Sequence, residues 1–193
     1  MQLWVGLGNP EPGMARQRHN IGFMAVDAIA ARHGFSPWRP RFKGLAAEGH
    51  VGAQKLILLK PMTYMNLSGT AVHGAARFYK IGPSDIILFH DELDLLPGKI
   101  RVKKGGGNAG HNGLRSTDQH LSTPDYWRVR LGIGHPGDKE RVTGWVLGDF
   151  SKADQDWLRP MLQSVADEAL LLAEGRMEDF MTRLAVLNKN KPA

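Results

Sequence analysis

Leu88-Phe-His-Asp-Glu-Leu-Asp-Leu-Leu-Pro-Gly98 decides how this chain is read. With Ile86 and Ile87 before it, the stretch opens as an apolar run of strand length and ends in His90, Asp91, Glu92 and Asp94. Such runs suit strands buried on both faces, and α/β folds gather chemistry at the carboxyl ends of those strands. A short segment, 99–103, then alternates basic and apolar residues and leads into Gly105-Gly-Gly-Asn-Ala-Gly-His-Asn-Gly113. That loop sets Asn108, His111 and Asn112 on flexible backbone. The pattern fits a site, and it fits equally a strand followed by a solvated acidic turn and a glycine loop.

Working outward, residues 2–7 predict a buried first strand ended by Gly8-Asn9-Pro10. Asn20 stands where an N-cap would precede a helix over 21–33, whose apolar positions Ile21, Met24, Ala25, Ala28 and Ile29 share a face. Residues 36–44 read as a loop or edge strand. A hairpin is expected over 45–60 with its turn at Gly52-Ala53. A helix from Asn66 or Ser68 to Tyr79 precedes the strand at 86. Further elements are a strand at 99–103, a helix over 110–121, a strand at 127–133 and a short helix or loop at 138–147. A helical stretch from 151 to 174 should be kinked or started by Pro160. A last helix over 176–187 precedes a polar tail, 188–193. Strands alternating with helices predict a single α/β domain spanning 1–193, its mixed, twisted sheet flanked by helices.

Composition narrows the class. The 193 residues carry a net charge of +6 from 25 basic and 19 acidic side chains, which favours an anionic partner, nucleic acid above all. No apolar run approaches the roughly 18 residues of a membrane span, and the first residues lack a basic leader, so no membrane association is expected. The absence of cysteine removes thiolate chemistry and suits a cytoplasmic protein. No H-x-x-x-H or H-E-x-x-H spacing occurs, so no metal is expected. Gly6-Leu-Gly8 is followed by Asn9-Pro10, which breaks the dinucleotide fingerprint. Neither a phosphate loop nor G-x-S-x-G is present, so no cofactor is expected.

A histidine oriented by a carboxylate can take a proton from water, and amide side chains can orient that water or donate to an oxyanion. His33, His50, His73 and His120 lie in helix or hairpin contexts and read as surface residues. His19, His90, His111 and His135 stand at strand ends or in loops, and spacing alone does not choose among them. At His19, just before the helix at 21, the helix dipole should disfavour imidazolium. Arg16, Arg18, Arg41, Lys43, Arg101, Lys103, Lys104, Arg128 and Arg130 flank these segments and could neutralise RNA phosphates; a solvated strand face is the plain alternative.

Six motifs resemble the bacterial-type peptidyl-tRNA hydrolase family in order and spacing. They are Val5-Gly-Leu-Gly-Asn-Pro10, Arg18-His-Asn-Ile-Gly22, Lys60-Pro-Met-Thr-Tyr-Met-Asn-Leu-Ser-Gly69, His90-Asp-Glu-Leu-Asp94, Gly105–Gly113 and Gly132-Ile-Gly-His-Pro-Gly137. The resemblance implies a monomeric α/β enzyme that hydrolyses the ester between peptide and tRNA. It implies His19 as the catalytic base and Asp91 as the carboxylate that orients it. It also implies Asn9, Asn66 and Asn112, with Met14 and Tyr64, as substrate-binding residues, and Lys103 and Arg130 as a clamp on the tRNA 5′ phosphate. Two positions depart from the family pattern: Met14 and Gln17 stand where the family usually has Tyr and Thr. A non-catalytic RNA-binding relative is the rival reading.

Overall fold

The computed structural model describes residues 1–189. β1 (Gln2–Gly6), β4 (Gln54–Pro61), β5 (Ile86–Glu92) and β7 (Trp127–Gly132) run parallel. β2 (Arg39–Arg41), β3 (Gly44–Val51) and β6 (Ile100–Lys104) pair antiparallel with their neighbours, giving one mixed sheet in the order β2-β3-β4-β1-β5-β7-β6. The two-residue alternation of strand side chains divides the core. Trp4, Leu56, Leu58, Ile87 and Phe89 pack on α1 (Ile21–Arg32) and α5 (Gln155–Asp167), whereas Leu3, Val5, Ile57, Leu59 and Leu88 pack on α2 (Ser68–Tyr79). Helices therefore cover both faces, which is why the parallel strands read as continuous apolar runs.

Three expectations need correction. Asn20 occupies the N-cap of α1, but its side chain makes no capping bond; its carboxamide is engaged by Asn9 instead. Pro160 does not start the helix: it lies inside α5, and the break between elements falls at Glu168, between α5 and α6 (Ala169–Ala173). The last helix, α7 (Met177–Lys189), continues through the start of the expected polar tail, and residues 190–193 lie outside the described residues. The other elements lie close to where the sequence puts them, with 39–41 an exposed edge strand, α3 at Asn112–Leu121 and α4 at Val142–Val146.

One close approach positions the site. The amide of Leu7 donates to Phe89 O at 3.0 Å and that of Phe23 to Leu7 O at 3.2 Å, so the first turn of α1 lies against the ends of β1 and β5. Gly22 makes this possible: a Cβ there would collide with the carbonyl oxygen of Phe89 and stand 2.6 Å from the amide of Leu7. Both obstacles are backbone and cannot swing aside. Gly22→Ala is expected to cost about 3 kcal/mol, the upper end of the overpacking range, and to lower Tm by about 6–12 °C. Thermal melting of the variant checks this; an unchanged Tm would show that the contact gives way.

Candidate active site

β5 carries Asp91 to the end of the sheet, and the one-turn segment Arg18–Asn20 hangs His19 above it. His19 Nδ1–H donates to Asp91 Oδ2 at 2.9 Å, and His111 Nε2–H donates to Asp91 Oδ1 at 2.8 Å. The tautomers follow from the partners. His111 Nδ1 accepts from the amides of Gly113 and Leu114, so its proton must sit on Nε2. An ionised Asp91 only accepts, so His19 carries its proton on Nδ1 and keeps the Nε2 lone pair for other work. Asp91 is 3% exposed and His19 9%.

The same three residues place their ligating atoms within 4.8 Å of one another, a spacing a metal ion could also use. Both histidine nitrogens in that set are already N–H donors to Asp91, so hydrogen bonding accounts for the trio.

Electrostatics sets the protonation states. Burial disfavours the His19 imidazolium, but the Asp91 charge and hydrogen bond outweigh it and raise the His19 pKa above its ordinary 6.5. This corrects the expectation from the helix dipole: the carboxylate dominates. Burial also opposes ionisation of Asp91, yet His19 and His111 together hold its carboxyl well below the usual carboxylate range. Burial, with His111 and Arg128 nearby, pushes His90 down to about 3. His90 is thus a neutral ring whose Nδ1–H donates to the carbonyl of Asp91 at 2.8 Å and whose edge packs on His111.

A cleft of about 570 Å³ opens over this trio. Asn9, Asn112, Lys103 and Arg130 line it together with His19 and Asp91, while Val142, Val146 and Leu147 form an apolar wall. That wall is fastened to the segment bearing His19. The Arg18 guanidinium lies 3.6 Å from the ring centre of Trp145 and donates to its carbonyl, and the amide of Arg18 donates to Gly148 O. Asn66, Tyr64 and Met14 are not among the lining residues: Tyr64 is 68% exposed, and Asn66 is exposed beside Met65, which does line the cleft. His135 is exposed and its Nδ1 accepts from Gly137.

The basic residues divide in a way their spacing does not reveal. Arg128 is buried, paired to Asp118 at 3.0 Å and donating to Gly107 O at 2.7 Å, so it fastens the glycine loop rather than facing solvent. Arg41 sits across the sheet among Phe42, Phe78 and Tyr79. Arg130 grips Glu92 through Nε and Nη2, each 2.7 Å from Oε1. Lys103 is exposed and has no ion-pair partner among the described residues.

The sequence model of the peptidyl-tRNA hydrolase family matches residues 3–192. The chain belongs to this family. It is 72% identical to the peptidyl-tRNA hydrolase of Granulibacter bethesdensis over 185 residues, covering 96% of this chain and 95% of that one. It is 67% identical to that of Acidiphilium cryptum, covering 98% and 99%. The crystal structure of peptidyl-tRNA hydrolase from Acinetobacter baumannii superposes with a TM-score of 0.89 at 41% identity, covering 95% of this chain and 94% of that one.

Two features of this peptidyl-tRNA hydrolase chain are not legible in its sequence. His111 shares Asp91 with His19, and nothing in the spacing of the glycine loop signals it. Asn20 reads as a helix cap, yet it accepts from the amide of Asn9 at 2.8 Å and donates to its carbonyl at 3.1 Å. No helix among the described residues is long and apolar enough to cross a membrane.

Proposed function

We propose that this chain hydrolyses the ester joining peptide to tRNA, freeing the tRNA for another round of protein synthesis, and acts as a cytoplasmic monomer. The observation that carries the reading is the Nε2 of His19, backed through Nδ1 by a buried carboxylate, on a residue that lines the cleft. His19 takes a proton from a water that attacks the ester carbonyl. Asp91 steadies the imidazolium so formed, and His111 holds the second carboxylate oxygen so that Asp91 cannot turn away. Asn112, at the first residue of α3, supplies a donor for the developing oxyanion. The proton held on His19 Nε2 passes to the departing 3′ oxygen of the tRNA, which restores the base. Asn66, Tyr64 and Met14 act from outside the cleft lining, on parts of the substrate that extend past it.

Release of peptide from purified peptidyl-tRNA tests the reading. No release together with tight RNA binding would favour the non-catalytic relative instead.

Lys103 and Arg130 differ in their availability to a 5′ phosphate. Lys103→Ala is expected to raise KM and reduce the salt slope of binding by about one. Arg130 is already balanced by Glu92, so Arg130→Ala should change that slope less, whereas Glu92→Gln should free the guanidinium and tighten tRNA binding at low salt. KM measured across a salt series separates the three variants; equal slopes for Lys103→Ala and Arg130→Ala would overturn the distinction.

A further inference from the structure

We infer that Gln17 is a positioning residue that fixes the direction of the Asn9 carboxamide, making Asn9 a hydrogen-bond acceptor at the reaction centre. Asn9 lines the cleft beside His19. Its Nδ2 donates to Gln17 Oε1 at 3.0 Å, turning the amide end toward residue 17 and leaving Oδ1 as the side-chain atom available to the cleft. Its backbone is held in place as well, because Asn20 engages both its N–H and its C=O with one carboxamide.

Gln17 is itself built in. It is 8% exposed, its amide donates to Met14 O at 3.1 Å, and its carbonyl accepts from the amide of Asn20 at 2.9 Å. On the other side Gln17 pairs as an isolated bridge with Asp149, flanked by bonds from Arg18 N to Gly148 O and from Phe150 N to Arg16 O, both 3.0 Å. These backbone bonds fix residue 17 beside Asn9, and its buried side chain presents Oε1 to the Asn9 amide.

The consequence is chemical. An acceptor beside the base cannot stabilise a developing oxyanion. It can take one hydrogen of the attacking water while His19 Nε2 takes the other, aiming the oxygen lone pair at the ester. Oxyanion stabilisation then falls to donors such as Asn112. The inference rests on the proposed hydrolysis with His19 as base.

A substitution series at residue 17 tests it, because the side chains differ in what they offer Asn9. Gln17→Glu can only accept, so it preserves the observed direction. Gln17→Lys can only donate, so it draws Oδ1 away from the cleft and presents Nδ2. Gln17→Met offers neither and lets the amide turn. The kcat plateau above the acid limb is expected to fall about tenfold for Gln17→Met, the worth of one neutral hydrogen bond, and at least as far for Gln17→Lys. Gln17→Glu should stay near wild type, and KM should move little throughout. The side-chain amide resonances of 15N-labelled Asn9 in the substrate-free protein give a readout independent of turnover. They should shift in Gln17→Met and keep their hydrogen-bonded position in Gln17→Glu.

Equal loss in all three variants, or full activity in Gln17→Lys, would overturn the inference. If His19→Ala is inactive while the residue 17 series ignores acceptor capacity, this inference alone fails. If His19→Ala is fully active, the underlying reading fails first.

Discussion

His19→Ala is expected to lower kcat for peptide release by about 10²–10⁴-fold, the usual contribution of a general base, with little change in KM. The small KM effect follows from the site: the apolar wall, Lys103 and Asn112 that would hold substrate remain in place, and only the proton acceptor is removed. The pH profile gives a second, independent mark. His19 acts as a base only when neutral, and the Asp91 carboxylate raises its pKa above 6.5 despite burial. The wild-type rate should therefore climb with pH through an acid limb lying above 6.5, and this limb should vanish from the residual rate of His19→Ala. Full activity in the variant, or an unchanged acid limb, would remove His19 from the mechanism.

The fold was legible because its signals are strong and local. Runs such as Ile86–Phe89 and Leu56–Leu59 have few ways to bury every side chain except inside a covered sheet, and glycine or proline punctuates most of the turns. Pro160 misleads as a start signal because proline's cost can be offset by packing; α5 buries Leu158, Met161 and Val165 on either side of it and runs through it. Asn20 misleads because an amide that can cap a helix can equally grip another backbone, and only the fold says which.

The site was less legible. His19 and Asp91 are 72 residues apart and meet because the close approach at Gly22 lays the first turn of α1 on the ends of β1 and β5. Local pattern could not select His19 from four histidines; the resemblance to a family did. The fate of each arginine was hidden for the same reason. Arg128 and Arg130 alternate on one strand, yet one is buried on Asp118 and the other balanced by Glu92, pairings that the alternation along the strand does not reveal.

Asp91→Asn is expected to damage catalysis more than Asp91→Ala, although asparagine is the closer mimic. His111 cannot change its tautomer, because Nδ1 accepts two backbone amides, so its Nε2–H must go to the oxygen of the new amide. The amide nitrogen then faces His19 Nδ1 and donates to it, which moves the His19 proton onto Nε2. The lone pair that should take a proton from water is turned inward. A wrong-tautomer defect of this kind, known from the serine protease triad, is worth about 10⁴ in kcat. Alanine removes the orienting carboxylate but imposes no tautomer, so Asp91→Ala should lose only about 10²-fold, toward the low end of general-base effects.

The acid limb distinguishes the variants further. With the carboxylate gone and burial remaining, the His19 pKa should fall below 6.5 in Asp91→Ala, moving the limb to lower pH. Stability runs the other way. Because the His19 pKa is raised on folding, the charged pair stabilises the protein fully below pH 6.5 and loses that contribution as pH rises through the folded value. The depressed Asp91 pKa contributes above its ordinary value near 4 and is lost as pH falls. Activity is therefore expected to begin where the His19–Asp91 ion pair has stopped stabilising the fold. Rates for both variants across pH 5–9, roughly spanning the histidine range, decide the point. Equal losses in Asp91→Asn and Asp91→Ala would show that His111 does not lock the tautomer and that Asp91 acts through its charge alone.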